Sequence, residues 1–202
     1  DPDKIRGETV AEIGTELLAP FFVASPLADS LEAICHDALN FPVPLEKLAV
    51  EQGDLAVLEL FHGPTAAFKD VGARFLAAAM ERALPGLKPA DSRPLTILVA
   101  TSGDTGSAAI EACRDREAID IFILHPHGRV SDVQRRQMTT VPSANVHNIA
   151  IEGSFDDCQD MVKAMFGDPG FSQEMRLGAV NSINWARIMA QIVYYFRAAL
   201  AL

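Results

Sequence analysis

The chain has 202 residues, of which 49% are hydrophobic and 22% charged, and 27 acidic against 17 basic side chains give a formal net charge of −10. This composition is typical of a folded globular protein and excludes collagen-like, disulfide-scaffold and largely disordered chains. Nucleic acids and anionic membranes would repel a chain of this charge. We therefore expect neither a nucleic acid nor a membrane as its partner.

In chain order, the first 44 residues carry the apolar periodicity of helices. An alternating run at residues 55–61 then predicts a strand, and residues 66–84 predict a helix. We interpret residues 1–54 as a mainly helical lead-in and residues 55–202 as an α/β region.

After residue 94 the sequence alternates between strands and helices. Continuous apolar, β-branched runs at residues 95–100, 119–124 and 145–151 predict strands that are buried on both faces. A helix is expected after each strand, and Ser131 and Ser154 are predicted as N-caps of the second and third of these helices. Such alternation predicts a parallel sheet between two layers of helices.

The last stretch, residues 188–202, is the most apolar, but it is shorter than the ~20 residues that cross a bilayer. We therefore predict a buried helix there. The chain starts at Asp1 rather than at a methionine, and its last helix reaches Leu202 without a stop signal. We expect that further residues precede and follow this segment.

The three cysteines, Cys35, Cys113 and Cys158, lie far apart and are odd in number. Their spacing matches no metal-ligand pattern, and the His125-Pro-His127 segment has no further ligand at a suitable distance along the chain. Thiols of this kind fit a reduced compartment, so we expect a cytoplasmic protein without a metal site.

Residues 101–106, Thr-Ser-Gly-Asp-Thr-Gly, join a predicted strand to a helix, where an open α/β sheet presents its ligands. The two glycines allow a close approach to backbone amides, the hydroxyls add donors, and the helix start adds positive potential. The motif predicts a carboxylate or phosphate site, although a ligand-free capped turn stays open. It lacks the Gly-Lys-Ser/Thr ending of a nucleotide P-loop.

Lys69 is flanked by apolar residues in the segment 62–70, His-Gly-Pro-Thr-Ala-Ala-Phe-Lys-Asp. Partial burial would favour a neutral amine there, which makes Lys69 a candidate Schiff-base nucleophile and proton carrier. The alternative is an exposed Lys69–Asp70 pair at a helix start, with no chemical role.

Residues 181–187, Asn-Ser-Ile-Asn-Trp-Ala-Arg, open the final helical region. Asn181 and Ser182 can donate hydrogen bonds to an anion, and Arg187 offers a planar fork that suits a phosphate. A capped helix with an exposed arginine is the alternative. Three segments that suit an anion, in a chain with a net charge of −10, argue against a coincidence.

Four segments together resemble the threonine synthases of bacteria and fungi, a family of fold-type II pyridoxal-phosphate enzymes. They are residues 58–70, 100–106, 153–158 and 181–187, and they occur in the order of the family. The resemblance extends from about residue 41 to the end of the chain. It implies a tryptophan-synthase-like α/β fold, pyridoxal 5′-phosphate as cofactor, and conversion of O-phospho-L-homoserine and water to L-threonine and phosphate.

The resemblance also implies roles for single residues. The cofactor is bound covalently by Lys69, with Phe68 beside its ring and Asp104 near its phenolic oxygen. The substrate carboxylate is held by Thr101, Ser102, Gly103 and Thr105. The substrate phosphate is held by Asn181, Ser182 and Arg187.

The chain departs from the family pattern in two ways. Most fold-type II enzymes have asparagine at the position of Asp104, so we expect internal donors or a bound proton to neutralise this carboxylate. The glycine-rich loop for the cofactor phosphate and the residue at the ring nitrogen lie downstream of the segment that matches residues 194–202. We therefore expect the N-terminal portion of a longer enzyme, with weak cofactor binding and no turnover by itself.

Two other functions stay open. A hydroxy-amino-acid dehydratase on the same scaffold would not need a second anion site at Arg187. A truncated, non-catalytic module would bind a small anion or a partner protein and would not capture the cofactor on Lys69. The sequence makes no prediction of the oligomeric state.

Overall fold

The computed structural model describes residues 8–49, 55–87, 93–181 and 184–202. Short 3₁₀ turns occur at Ala28–Ser30 and Leu84–Leu87. The helices and strands follow in chain order as α1 (Val10–Phe22), α2 (Leu31–Ala38), β1 (Leu45–Leu48), β2 (Leu55–Leu58), α3 (Lys69–Ala83), β3 (Leu95–Ala100), α4 (Asp104–Cys113), β4 (Ile119–Pro126), α5 (Asp132–Thr139), β5 (Val146–Ile151), α6 (Phe155–Gly167), α7 (Pro169–Glu174), β6 (Leu177–Gly178), α8 (Trp185–Met189) and α9 (Ile192–Ala201).

The sheet has the parallel arrangement predicted from the sequence. Its four described strands lie in the order β5-β4-β3-β6, and every neighbouring pair is parallel. The central strands β3 and β4 are the most buried because helices cover both of their faces. The carboxyl ends of these strands therefore point to one edge of the sheet, which is where parallel sheets place their ligands.

Helix α3 lies between two hydrophobic cores. Its face with Val71 and Phe75 packs with α1, α2 and α9. Its opposite face, with Ala73 and Ala77, packs on β3, β4 and α4. The many alanines of α3 allow this close packing on both sides, and the start of the helix is consequently held in place from two directions.

On the other face of the sheet, α6 packs on β3 and β4. Cys158 is buried there with Leu98 and Leu124, and Val162 and Phe166 of α6 extend the contact. The three cysteines are free thiols and are all buried, as their odd number and wide spacing suggested.

The predicted N-caps at Ser131 and Ser154 are confirmed. The Ser131 hydroxyl accepts from the Gln134 N–H, and the Ser154 hydroxyl accepts from the Asp157 N–H. Asp157 completes a capping box, since its carboxylate accepts from the Ser154 N–H at 2.6 Å. Its hydrogen bonds with the backbone and side chain of Ser154 lower the pKa of Asp157.

Two features of the fold differ from the sequence-based interpretation. Strand β1 was not predicted, and it pairs in antiparallel register with β2, Leu45 opposite Leu58. The boundary between residues 54 and 55 therefore separates two paired strands, and the core around Phe75 draws side chains from both sides of it. The division of the chain into these two regions stays a prediction.

The single buried helix expected at residues 188–202 is wrong. The segment contains the end of α8 and then α9, and one face of α9 is open: Tyr195 is 65% exposed, whereas Val193 is fully buried. Amphipathic packing against α1 explains the difference, because only one side of α9 meets a core. Among the described residues, no helix combines the length and the apolar character that a membrane crossing requires.

Candidate functional site

Lys69, the first residue of α3, faces the first turn of α4. Its Nζ donates to Oδ2 of Asp104 at 3.1 Å, although 35 positions separate the two residues in sequence. The same Nζ lies 4.7 Å from the centroid of the Phe68 ring, within range of a cation–π contact. The side chain of Lys69 is only 20% exposed. We call Lys69, Phe68 and Asp104 the amine end of the site.

Asp70 does not pair with Lys69, and the alternative of an exposed Lys69–Asp70 pair is wrong. Asp70 is fully buried and accepts hydrogen bonds from the backbone N–H of Thr65 at 2.9 Å and from its hydroxyl at 2.6 Å. These bonds close the loop before α3 onto the start of the helix. Ala66 in this loop has a φ of 55°, a strained value for a residue with a Cβ atom.

The turn between β3 and α4 is built on Thr101. This side chain is 1% exposed, and its hydroxyl oxygen accepts from the N–H groups of Gly103 at 3.0 Å and Gly106 at 2.9 Å. Gly103 has a φ of 148°, a conformation that side chains other than glycine rarely adopt. Ser102 lies on the exposed side of the turn. The Thr101 side chain therefore holds the turn from its buried side and uses the Gly106 amide to do so. The amides of Asp104 and Thr105 precede the first bond within the helix, and such amides favour an anion.

A cavity of about 540 Å³ opens next to the same helix start. Thr105, Asn181 and Arg187 line it, and we call Asn181 and Arg187 the anion end of the site. The opposite wall belongs to one face of α6, whose contributors are spaced four residues apart: Phe155, Gln159 and Lys163. The volume lies within the range of small-molecule sites. Ser182, the third residue predicted for this end, lies outside the described residues.

Arg187 is buried rather than exposed, so the alternative of an exposed helix arginine is wrong. Its residue exposure is 4%, and Nη1 donates to the carbonyl of Val180 at 3.0 Å. Its Nε has no hydrogen-bond partner among the described residues. Burial lowers the pKa of the guanidinium, because the charged form loses hydration. An anion in the cavity would compensate this lost hydration.

Arg187 owes its position to a close contact with α3. A Cβ atom at Gly72 would lie 2.7 Å from the backbone oxygen of Arg187 and 2.8 Å from its Cγ. Only glycine allows the two segments to approach this closely. The helix that begins with Lys69 is thus packed directly on the residue at the anion end.

The two ends meet at α4, where Asp104 belongs to the amine end and the next residue, Thr105, lines the cavity. The structure thereby brings together Lys69, Phe68 and Asp104 on one side and Thr105, Asn181 and Arg187 on the other.

Two glutamines of α5 also contact the site and were not singled out in the sequence. Gln134 Nε2 donates to Oδ1 of Asp104, and Gln137 Nε2 donates to the carbonyl of Thr65 at 3.1 Å. They are separated from these partners by 30 and 72 positions, so no local pattern points to them. The Phe155, Gln159 and Lys163 face, in contrast, follows from the predicted helix after Ser154.

The fold and the site have counterparts in known proteins. Residues 39–201 match the family model described as pyridoxal-phosphate dependent enzyme. Threonine synthase from Pseudomonas aeruginosa is 54% identical over 200 residues, which cover 95% of this chain and 40% of that protein. Threonine synthase from Schizosaccharomyces pombe is 47% identical over 206 residues, which cover 97% of this chain and 40% of that protein. The chain thus spans about two fifths of the length of these relatives.

A crystal structure of threonine synthase from Brucella melitensis with bound pyridoxal phosphate superposes with a TM-score of 0.88 and 47% identity, covering 99% of this chain and 43% of that one. This overlap confirms the predicted fold class, a parallel α/β fold of type II. The family match covers most of the described fold, including α3 and α4. The chain belongs to the family of pyridoxal-phosphate dependent enzymes.

Proposed function

We propose that the protein carrying this chain is a cytoplasmic threonine synthase, which converts O-phospho-L-homoserine and water to L-threonine and phosphate. The observation that carries the proposal is the contact of Lys69 Nζ with Asp104 in the glycine-bearing turn after β3. A reactive amine and an anion-binding turn are two requirements of amino-acid chemistry at a pyridoxal-phosphate site. The relatives of the same name, at 54% and 47% identity, support the choice of reaction.

The side chains of the amine end have the chemistry that binding of pyridoxal 5′-phosphate requires. Lys69 is partly shielded from water but its partner Asp104 is 47% exposed, so the amine is accessible from the side of the turn. The Phe68 ring beside Nζ offers an apolar face to an aromatic ring. When bound, pyridoxal 5′-phosphate supplies an aldehyde for the lysine amine and a ring that stabilises negative charge at the substrate Cα. Lys69, Phe68 and Asp104 are the residues of this segment that would hold it.

Lys69 can act as both base and acid. A neutral amine at Nζ accepts a proton and returns it to a neighbouring carbon, which is the general acid–base chemistry that rearranging an amino acid requires. Asp104 sits within hydrogen-bond distance of Nζ and holds it near the turn. Proton movement between substrate carbons therefore depends on the start of α3.

The turn after β3 suits the carboxylate of the substrate. Ser102 lies on its exposed side, Thr105 lines the cavity, and the first amides of α4 point toward the same region. The turn is kept rigid by the hydrogen bonds that the amides of Gly103 and Gly106 donate to the hydroxyl of Thr101. A carboxylate held in this way fixes the orientation of the Cα–H bond during proton transfer.

The anion end suits the phosphate of the substrate. Arg187 brings a desolvated positive charge to the cavity, and Asn181 adds polar contacts on the same wall. The charge that develops on a departing phosphate is stabilised most strongly by donors that are already in place and shielded from water. Lys163 also lines the cavity, but its side chain is 70% exposed and its ammonium is paired with Asp160 at 3.0 Å, so Arg187 is the main cationic group of this end.

A capture experiment tests the proposal. The protein expressed from its complete gene is incubated with pyridoxal 5′-phosphate, reduced with borohydride, digested and analysed by mass spectrometry. We expect the label on Lys69, and we expect Lys69→Ala to lose both the label and the formation of threonine from O-phospho-L-homoserine. Lys47→Ala, at an exposed position of β1, is the control. A label elsewhere, or threonine formation by Lys69→Ala, would contradict the proposal.

A second measurement separates this function from a hydroxy-amino-acid dehydratase. Inorganic phosphate should compete with O-phospho-L-homoserine, and Arg187→Met should weaken this inhibition at least tenfold. Arg135→Met, a partly exposed arginine of α5, is the matched control. Equal inhibition of the wild type and Arg187→Met by phosphate would show that the anion end does not bind the phosphate of the substrate, and would favour the dehydratase.

A further inference from the structure

We propose that Gln134 is a positioning residue, which holds the Asp104 carboxylate in the orientation that Lys69 requires. This inference rests on the proposed role of Lys69 as the cofactor lysine. It adds to that role a residue from α5, an element that contributes no residue to either end of the site as defined above.

The two carboxylate oxygens of Asp104 accept hydrogen bonds from different residues. Oδ2 accepts from Lys69 Nζ, and Oδ1 accepts from Gln134 Nε2. A carboxylate with one partner is free to turn about its last side-chain bond, because that torsion has a broad profile. Two donors on different oxygens remove this freedom, so Gln134 fixes the plane in which Asp104 meets the amine.

Gln134 is itself held in place. Its Oε1 accepts from the Ser131 hydroxyl at 2.9 Å, which leaves Nε2 directed at Asp104. Its side-chain amide lies where a Cβ atom of residue 103 would be, and only the glycine at that position leaves room for it. The same glycine therefore permits both the unusual backbone of the turn and the contact of the amide.

A second residue of α5, Gln137, contacts the loop that precedes α3. Gln137 lies one helical turn after Gln134 on the same side, and its Nε2 donates to the carbonyl of Thr65. Thr65 in turn donates to Asp70, the residue next to Lys69. One short helix thus contacts both segments that form the amine end, the loop before α3 and the turn before α4.

The residue type also fits the role. A lysine or arginine at position 134 would compete with Lys69 for the charge of Asp104, and a glutamate would repel it. The neutral glutamine amide donates a hydrogen bond and leaves the negative charge available to the amine. Gln134 and Lys69 each donate a hydrogen bond to Asp104.

The test uses Gln134→Met, which keeps the side-chain length but has no donor. In the protein expressed from its complete gene, we measure the rate at which pyridoxal 5′-phosphate and borohydride label Lys69, and the dissociation constant of the cofactor. We expect the labelling rate to fall about tenfold and the dissociation constant to rise. Val133→Ala, on the same helix and 69% exposed, should behave like the wild type.

A double-mutant cycle distinguishes positioning from a general structural role. If Gln134 acts through Asp104, then Gln134→Met has no further effect in an Asp104→Ala background. Wild-type labelling by Gln134→Met, or an equal loss in both backgrounds, would overturn the inference. Absence of label on Lys69 in the wild type would instead overturn the proposed function, so the two failures are distinguishable.

A second variant covers the case in which Gln134→Met does not fold. Gln134→Glu keeps the shape and the contact with Ser131 but sets a carboxylate against Oδ1 of Asp104. We expect a loss of labelling at least as large as that of the methionine variant. Labelling at the wild-type rate would count against the inference.

Discussion

The two ends of the site are held by different forces. At the amine end, Lys69, Asp104 and Gln134 are joined by side-chain hydrogen bonds at a partly exposed surface. At the anion end, Arg187 is buried and its position depends on the glycine at residue 72. Changes at the amine end should therefore alter chemistry and leave the fold intact, whereas changes in the packing at the anion end should cost stability.

The largest effect is expected where α3 packs against Arg187 of the anion end. Gly72→Ala places a Cβ atom against the backbone oxygen of Arg187, and neither partner can rotate away. Overpacking of this kind costs about 3 kcal/mol of unfolding free energy. Denaturant unfolding of the wild type and of Gly72→Ala measures this loss of unfolding free energy.

Gly86→Ala is the matched control, because nothing lies within 4 Å of the added Cβ atom. It should be neutral or slightly stabilising, since alanine lowers the entropy of the unfolded chain. Equal stability of the two variants would show that packing on α3 does not hold the anion end.

The next effect concerns ligand-linked stability. Phosphate at the anion end should stabilise the folded protein by about 2.7 kcal/mol at a concentration one hundred times its dissociation constant. Arg187→Met should lose this phosphate-dependent stabilisation. Its stability without phosphate should change less, because the substitution also removes a charged group whose burial is unfavourable. Thermal melts with and without inorganic phosphate measure both values. A full phosphate response in Arg187→Met would contradict the assignment of this end.

At the amine end, Asp104→Asn tests the electrostatic role of a single carboxylate. Loss of the negative charge 3.1 Å from Nζ disfavours a protonated nitrogen there. In the cofactor-loaded protein, we expect the visible absorbance to titrate at a lower pH than in the wild type. The melting temperature should stay nearly constant. An unchanged titration would contradict an electrostatic role of Asp104.

The smallest effect is expected at the far wall of the cavity. Ser154→Ala removes the N-cap of α6, which costs about 1 kcal/mol and lowers Tm by roughly 2–4 °C in a chain of this size. Hydrogen bonds from the backbone N–H and from the hydroxyl of Ser154 hold the pKa of Asp157 below its usual value, and Ser154→Ala removes only the one from the hydroxyl. The contribution of that hydroxyl bond is present above about pH 4 and is lost as the pH falls further. The difference between variant and wild type should therefore shrink in acid. A constant difference from pH 7 to pH 3 would contradict this account.

Local patterns predicted much of the fold. Strand β3 has the predicted limits because five of its six residues are apolar and its four central residues are buried, and the caps at Ser131 and Ser154 depend on residues only three positions apart. Strand β1 was missed because its burial pattern is mostly exposed and its pairing with β2 is a tertiary contact.

The site was predicted less completely than the fold. Lys69, Asp104 and Arg187 stood out because their motifs are unusual in composition, and the structure places each at one of the two ends. The burial of Asp70 and the contact of Gln134 depend on how α3 and α5 pack, and no spacing in the sequence encodes these arrangements.

The missing side chain at Gly72 has a mechanical consequence. Lys69 precedes it by three residues, about 4.5 Å along a helix axis. One helical turn of α3 therefore connects the residue that bears the amine to the residue that contacts Arg187. A displacement of the Arg187 backbone toward α3 would meet this helix at Gly72, so that the position of the arginine and the position of the lysine-bearing helix are linked by one contact.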